Sequence, residues 1–496
     1  MTTRHERAKG TGVDEGEVNL LAGSSMTGPD TLVMDMPCAE GPGVCPPETS
    51  AGLRPVAAVV QSVAVKVLIV GINALTGIIT ARFLGPGGRG ELAAMILFPV
   101  FLGSALSFGL PSALTYQLRR SPQKAGSLMG AGLVLASMTG LAGALLGAIF
   151  MHSWIPQYPP QVIWFARIFL LSTPITSLLL VGRAALESRG DFTASNKLLI
   201  WSPATTLVLL GILIATSRMS PFTAAISYVL VGVMPLAWMV FRVSKALRPS
   251  LTGLRGSVST LFSYGVRSYG IDLCGTMSLY VDQALVVRLL NPDLMGTYVV
   301  GLSLSRMLNV FHTSVVMVLF PRAVGRAPAE VAEMTSRAMR VTTAMTTVCG
   351  IAIAVFGPEM LVLLYGREYQ GAGLLLRILI AEVILSGATQ VLSQAFMALE
   401  RPGIIAGLQL TGLLLTIPLM LLLVPRFGIL GAGLALLAST CARLSFVVFS
   451  FPVFLKLKIP RLVPAYEDLK FAVSAITSWI HQSRSAANFV AAGVGD

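Results

Sequence analysis

The sequence predicts an all-α, polytopic membrane protein of about twelve transmembrane helices. Three observations predict it. Only 12% of the 496 residues are Asp, Glu, Lys or Arg and 54% are apolar or aromatic, against about 25% charged in a soluble domain. Mean hydropathy is +0.77. Apolar runs of about 20 residues, the length that crosses a bilayer as a helix, recur along the chain between short polar hinges. Together these exclude a soluble multidomain enzyme and a disordered chain. No series of alternating segments of about ten residues is present, which excludes a transmembrane β-barrel. The 48 glycines suit helices packed backbone to backbone.

Residues 1–54 are polar and rich in Gly, Pro, Asp and Glu, with no sustained apolar period, and read as a disordered cytoplasmic tail. The first strong apolar run begins near Val56, too late for a signal peptide. Spans follow at 57–83, 91–117, 126–151, 161–183, 196–216 and 222–243, giving a first lobe over 55–250. Six more at 258–288, 296–320, 338–357, 371–399, 403–424 and 429–454 give a second lobe over 251–455. Residues 456–496 form a second cytoplasmic tail. There Leu469, Val473, Ile476 and Ile480 share one helical face, and the stretch is too short to span, so an interfacial helix is expected.

The loops orient the chain. Even-numbered connections carry fifteen basic residues, among them Arg119, Arg120, Lys124, Arg242, Lys245 and Arg326; odd-numbered ones carry five. Basic loops mark the inner side, so both termini are expected in the cytoplasm, beneath the cell membrane. The net charge of +13 is then largely a property of those loops and gives no reason to expect nucleic acid.

An internal repeat is visible. Arg82-Phe-Leu-Gly-Pro86-Gly-Gly-Arg-Gly90 and Arg288-Leu-Leu-Asn-Pro292-Asp-Leu-Met-Gly296 both read R-x-L-x-P-x-x-x-G, 206 residues apart. Ala185-Leu-Glu187 matches Ala398-Leu-Glu400, and Arg167-Ile matches Arg377-Ile, at nearly the same offset. Two six-helix lobes related by a parallel pseudo-two-fold repeat are expected.

Gly85-Pro-Gly-Gly-Arg-Gly90 matches G-x-G-x-x-G, but it follows a membrane helix and no acidic residue lies about 20 positions on. It reads as a Gly/Pro hairpin at the outer surface, and no dinucleotide or other cofactor is expected. Cys274, Cys349 and Cys441 lie in apolar runs as packing residues, and the Cys38/Cys45 pair lacks the partners of a metal site, so no metal is expected. Four scattered histidines and short loops leave no catalytic constellation, and an enzyme is not expected.

Charges within the spans are the informative residues, because hydrocarbon makes them costly. Lys66 and Asn73 share a face of span 1 with Thr80. Span 7 carries Tyr264, Ser268, Asp272, Thr276 and Tyr280 at four-residue steps, with Asp282 nearer the outer end. The repeat offset puts Lys66 on Asp272. Span 8 adds Arg306, Asn309 and His312; span 10 has Glu382, Ser386, Gln390 and Gln394; span 12 has Arg443. Polar stripes on several spans imply a common wet interior. Arg167, Arg183, Arg322 and Arg377 lie nearer span ends and are expected to snorkel.

Those segments, with Gly109-Leu-Pro-Ser-Ala113, Asp282-Gln, Gly296-x-Tyr298, Leu364-Tyr-Gly-Arg-Glu-Tyr369 and Pro425-Arg-Phe-Gly-Ile-Leu-Gly-Ala-Gly433, resemble the polysaccharide and O-antigen flippases. These belong to the multidrug/oligosaccharidyl-lipid/polysaccharide exporter superfamily. The resemblance covers about residues 56–455 and leaves the N-terminal tail outside it. It implies two lobes around a central cavity and transfer of a polyprenyl-diphosphate-linked glycan between leaflets by alternating access. Its implied partners are the anionic lipid-linked glycan, membrane lipids, and a polysaccharide polymerase and glycosyltransferases. An anionic head group needs cationic partners in the bilayer. Lys66, Arg306 and Arg443, with Asn73 and Asn309, are therefore the expected substrate-binding residues. Asp272, Asp282 and Glu382 are expected to pair with those cations in the empty carrier or to bind a coupling ion. Two alternatives stand beside this: a drug or cation antiporter of the sister branch, which favours an acidic cavity, and a membrane scaffold without transport, which needs no polar stripes.

Overall fold

The structure is a computed structural model. It describes residues 53–462, the side chains of 53–64, Lys66 and Ile271 excepted. The tail over 1–52, Cys38, Cys45 and the expected helical face at Leu469–Ile480 lie outside the described residues. Among the described residues every regular element is helical.

Helix α1 runs Leu53–Ala105. Unbroken, its 53 residues would measure about 80 Å, far more than a hydrocarbon core of about 30 Å. It is broken at Gly85, whose φ of 66° and ψ of 179° are open only to glycine. Thr76, Thr80 and Ala81 are buried before the break. After it, Tyr269, well down helix α8 from its Leu289 end, donates to the Ala105 carbonyl. The chain therefore turns back at Gly85. The expected hairpin is a single glycine hinge, with helix resuming at once.

The second expected span is also interrupted. Phe108 and Gly109 both have positive φ, and α2 (Leu110–Arg120) follows. The break lies where two backbones meet: a Cβ on Gly109 would sit 2.5 Å from the Gly265 carbonyl oxygen. Next come α3 (Ala125–Trp154), then α4 (Pro160–Phe169) and α5 (Thr173–Ser188) in place of span 4, then α6 (Phe192–Ala215) and α7 (Pro221–Leu247). The second half has α8 (Leu254–Leu289), α9 (Pro292–Arg306), α10 (Asn309–Ala323), α11 (Pro328–Tyr365), α12 (Gly373–Ala398), α13 (Pro402–Phe427) and α14 (Ile429–Ser450). Helices α9 and α10 meet at 43° in place of one straight span.

Helix starts follow local chemistry. Proline opens α4, α7, α9, α11 and α13, where a missing N–H costs nothing. Asn291 caps α9 by accepting from the Leu294 N–H at 3.0 Å, and Ser220 with Thr223 forms a capping box on α7. Nine helices among the described residues are long and apolar enough to cross a membrane, or ten with the bent α9–α10 pair. The expected number was about twelve. Part of the difference lies in α1, taken as one length across its hinge, and in α8, whose 36 residues carry the polar stripe.

Leu145, Ile149, Phe241, Val348 and Leu363 are exposed, as lipid-facing side chains of a multi-pass membrane protein are. From the first half, α1 carries the contacts to α9, α10 and α11. Helix α8 packs on α1, α2 and α3 and also on α13, linking the two halves.

Candidate functional site

Four of the expected charges converge in the second half. Asp282 on α8 is 1% exposed, and its Oδ2 lies 3.2 Å from Nη2 of Arg306, the last residue of α9. Tyr298, two turns earlier on α9, donates its hydroxyl to the same oxygen at 2.9 Å. Opposite, Glu382 on α12 accepts from Thr440 at 2.8 Å; Thr440 accepts from Arg443 Nη2 at 2.7 Å, and Arg443 lies 3.8 Å from Glu382. Glu382 also interacts electrostatically with Arg306 and Asp282, so the two pairs form one cluster.

The helices dictate this arrangement. Asp282 and Arg306 are 24 residues apart but sit on successive helices. Thr440 and Arg443 are three apart on α14 and share a face. On α13, Gly412 leaves room for the Arg443 stem: a Cβ there would lie 2.6 Å from Arg443 Cδ. Two acids and two guanidinium groups balance in charge. The balance is incomplete in hydrogen bonds: Asp282 Oδ1 and Arg443 Nε are buried without a partner. Arg306 keeps 36% of its side chain exposed. It is the most open member of the cluster and the one able to exchange its partner for an entering anion.

The remaining candidates lie elsewhere. Asp272 accepts from Ser112 on α2 at 3.1 Å, against the first half of the chain. Lys66 lies on α1, but its side chain is outside the described residues. Asn73 is exposed on α1, and Asn309 is half-buried at the start of α10, next to the bend beyond Arg306. The polar stripe of α8 therefore serves two places, Asp272 toward α2 and Asp282 toward α9. Of the arginines expected to snorkel, Arg183 pairs with Glu187 at 3.0 Å and Arg377 donates to the Ala354 carbonyl at 3.1 Å. Tyr298 and Thr440 carry no sequence signal as charge partners beyond the Gly296-x-Tyr298 pattern and the three-residue spacing of Thr440 from Arg443.

A second feature lies at the end of the molecule where α8 finishes. The two R-x-L-x-P-x-x-x-G segments press together. A Cβ on Gly90 would sit 1.8 Å from the Pro292 carbonyl oxygen, and one on Gly296 would sit 1.9 Å from that of Pro86. The contact is reciprocal at the repeat offset, as a local two-fold relation requires. Flanking bonds repeat the pattern. Tyr369, just after α11, donates to Ala81 at 3.3 Å. Gln157, just after α3, donates to Val287 and, at 3.1 Å, to Leu290. Ala81 and Val287 are again 206 apart. Arg82 Nη1 adds a 2.6 Å bond to the Leu363 carbonyl. Each half thus grips the helix end of the other.

Solved structures of like fold include a lipid II flippase and a transporter of the MOP superfamily. The chain aligns with lipid II flippase MurJ in an inward closed conformation at a TM-score of 0.67, covering 84% of this chain and 90% of that one at 14% identity. It aligns with an inward-facing multidrug resistance transporter of the MATE family at 0.63, covering 78% and 95% at 15% identity. Among curated sequences it is 23% identical over 358 residues to the "Probable low-salt glycan biosynthesis flippase Agl15" of Haloferax volcanii, 70% of this chain and 74% of that protein. The model of one sequence family, described as polysaccharide biosynthesis protein, matches residues 79–373, which include the reciprocal latch, Asp282 and Arg306. The chain belongs to that family.

Proposed function

We propose that the protein is a flippase moving a polyprenyl-diphosphate-linked oligosaccharide across the cell membrane for surface polysaccharide synthesis. The observation that carries the reading is the Asp282–Arg306–Glu382–Arg443 cluster, at span depth with Arg306 open. In the empty carrier Asp282, itself fixed by the Tyr298 hydroxyl, pairs with the guanidinium. A diphosphate entering beside it offers a competing anion with bidentate geometry, and the freed carboxylate keeps its Tyr298 bond. Lys66, Asn73, Asn309 and Arg443 complete the proposed binding surface. Asp272 is the proposed resting partner of Lys66, and Glu382 that of Arg443. The flippase named among the curated relatives and the lipid II flippase of like fold support this substrate class.

Twelve spans in two lobes over 55–250 and 251–455, both termini cytoplasmic, belong to the same proposal, and the reciprocal latch supports it. Away from the latch the halves meet again where α8 packs on α2 and α3, with Gly265 against Gly109 and Asp272 bonded to Ser112. The protein acts as a transporter and not as an enzyme, beside a polymerase and glycosyltransferases that supply and consume its cargo. A cation antiporter fits the cluster less well, because its two acids are matched by two arginines.

The test is transfer of a fluorescent polyprenyl-diphosphate glycan across vesicles holding the purified protein. Arg306→Ala is expected to stop transfer while the protein stays folded in the membrane, and Arg306→Lys to retain part of it, since lysine lacks the bidentate fork. Full transfer by folded Arg306→Ala removes Arg306 from the binding surface.

A further inference from the structure

Apart from the charge cluster, the structure has a groove of about 600 Å³ between α10 and α11. Its floor is apolar, formed by Val315, Val318, Leu319 and Met334, and its rim carries Arg322, Arg326 and Arg337. Arg326 and Arg337 pair with Glu330 and Glu333 across single exposed helix turns. Such pairs are weak and exchange readily. Among the described residues no hydrogen bond or ion pair engages the Arg322 guanidinium, which is exposed.

The sequence holds a complementary segment. Between Gly10 and Leu53 there are seven acidic residues and no basic one, in a chain of net charge +13. Within that stretch Asp30-Thr-Leu-Val-Met-Asp35-Met36 places apolar side chains between two carboxylates. That suits an apolar floor with an arginine rim. The ends also meet. Helix α1 approaches the latch from Leu53, and α9 with α10 leaves the latch toward Ala323. Leu53 and the α10–α11 turn therefore lie at the same end of the molecule. Met36 and Leu53 are 17 positions apart, a chain length that can span at most about 60 Å, and tethering raises the local concentration of the segment to the millimolar range, about 1 mM or more.

We propose that residues 30–36 dock in this groove, with Asp30 and Asp35 at the arginine rim and Leu32, Val33 and Met34 on the floor. The tail then braces α10 against α11, and its removal leaves the transport step itself intact.

The test uses the full chain in phosphatidylcholine nanodiscs, with the five native cysteines replaced by alanine and the pair Met34→Cys and Met334→Cys introduced. Oxidation is expected to join them within one chain about tenfold faster than a control pair of Thr11→Cys and Met334→Cys, roughly threefold from the control's longer tether and the rest from docking. Adding Arg322→Glu and Arg326→Glu is expected to abolish the docking advantage, and Asp30→Arg with Asp35→Arg to restore it. Salt is expected to reduce it as the Debye length shortens. A rate within roughly threefold of the control, or one insensitive to charge reversal, overturns the proposal. So does protection of Met334→Cys from maleimide that needs phosphatidylglycerol and survives deletion of residues 1–50, since the groove then belongs to a lipid head group.

Discussion

Gly296→Ala tests whether the reciprocal latch is a gate. The new Cβ would stand 1.9 Å from the Pro86 carbonyl oxygen and 3.0 Å from the Gly90 nitrogen, both backbone atoms that no rotamer change can move. An ordinary carbon–oxygen contact is about 3.3 Å, so α1 and α9 must part by about 1.4 Å at this point. Overpacking of this kind costs about 1–3 kcal/mol. If only the outward-closed state bears that cost, the equilibrium moves toward the open state by roughly 5- to 150-fold. An open state populated at about 1% then rises to roughly 5–60% of the ensemble. Spin labels at the exposed positions Gln161 on α4 and Glu359 on α11 report the distance across this end. The expected result is a longer-distance population in Gly296→Ala, together with slower transfer. Gly90→Ala acts on the other side of the same contact, so the double variant should fall short of the sum of the singles. An unchanged distance distribution with unchanged transfer, in protein that remains monodisperse, refutes the gate.

Three further outcomes follow from single contacts. His312 is buried with both ring nitrogens unpartnered, and a Cβ on Gly387 would lie 1.9 Å from its ring; Gly387→Ala should destabilise by about 1–3 kcal/mol, and His312→Ala added to it should recover stability in a thermal melt. Gly412→Ala should push Arg443 away from Thr440 and lower transfer while leaving the melt nearly unchanged; normal transfer would separate Arg443 from the substrate path. Lys66→Ala and Asp272→Ala should each lower transfer, and the double variant should not regain it; recovery of both stability and export in the double variant would make the pair a structural strut.

The sequence marked the charged residues but not their pairing. Asp282, Arg306, Glu382 and Arg443 were legible because hydrocarbon makes isolated charges costly. That Arg306 meets Asp282, while Asp272 turns to Ser112, depends on how α8 is rotated between α2 and α9, and a polar stripe with four-residue spacing does not encode it. The helix order was legible from apolar length. The breaks were less so: the turn at Gly85 was legible from its Gly/Pro run, but hydropathy averages over the bend at Met307–Leu308. Phe108, with a φ of 48°, is a residue whose type gives no warning of a left-handed turn. Thr440 looks like any helix threonine until Glu382 and Arg443 are seen on either side of it.

The repeat explains why two unremarkable residues, a proline and a glycine four positions later, recur at this offset. Pro86 and Pro292 each open a helical segment, where the missing N–H costs nothing, and the carbonyl of each lies against the other half's glycine. Gly90 and Gly296, lacking a Cβ, let that carbonyl approach the facing backbone. Under a local two-fold relation one pair of residue choices makes two contacts, and parting the helices on one side of the axis loosens the other. Helix α9 links this device to the charge cluster. Its first turn, Pro292–Gly296, forms half of the latch, and its last residue, Arg306, forms the ion pair with Asp282. The 15 helical residues of α9 join these ends without an internal proline or a break. In the proposed mechanism, substrate that draws Arg306 away from Asp282 pulls on the same helix whose first turn forms half of the latch.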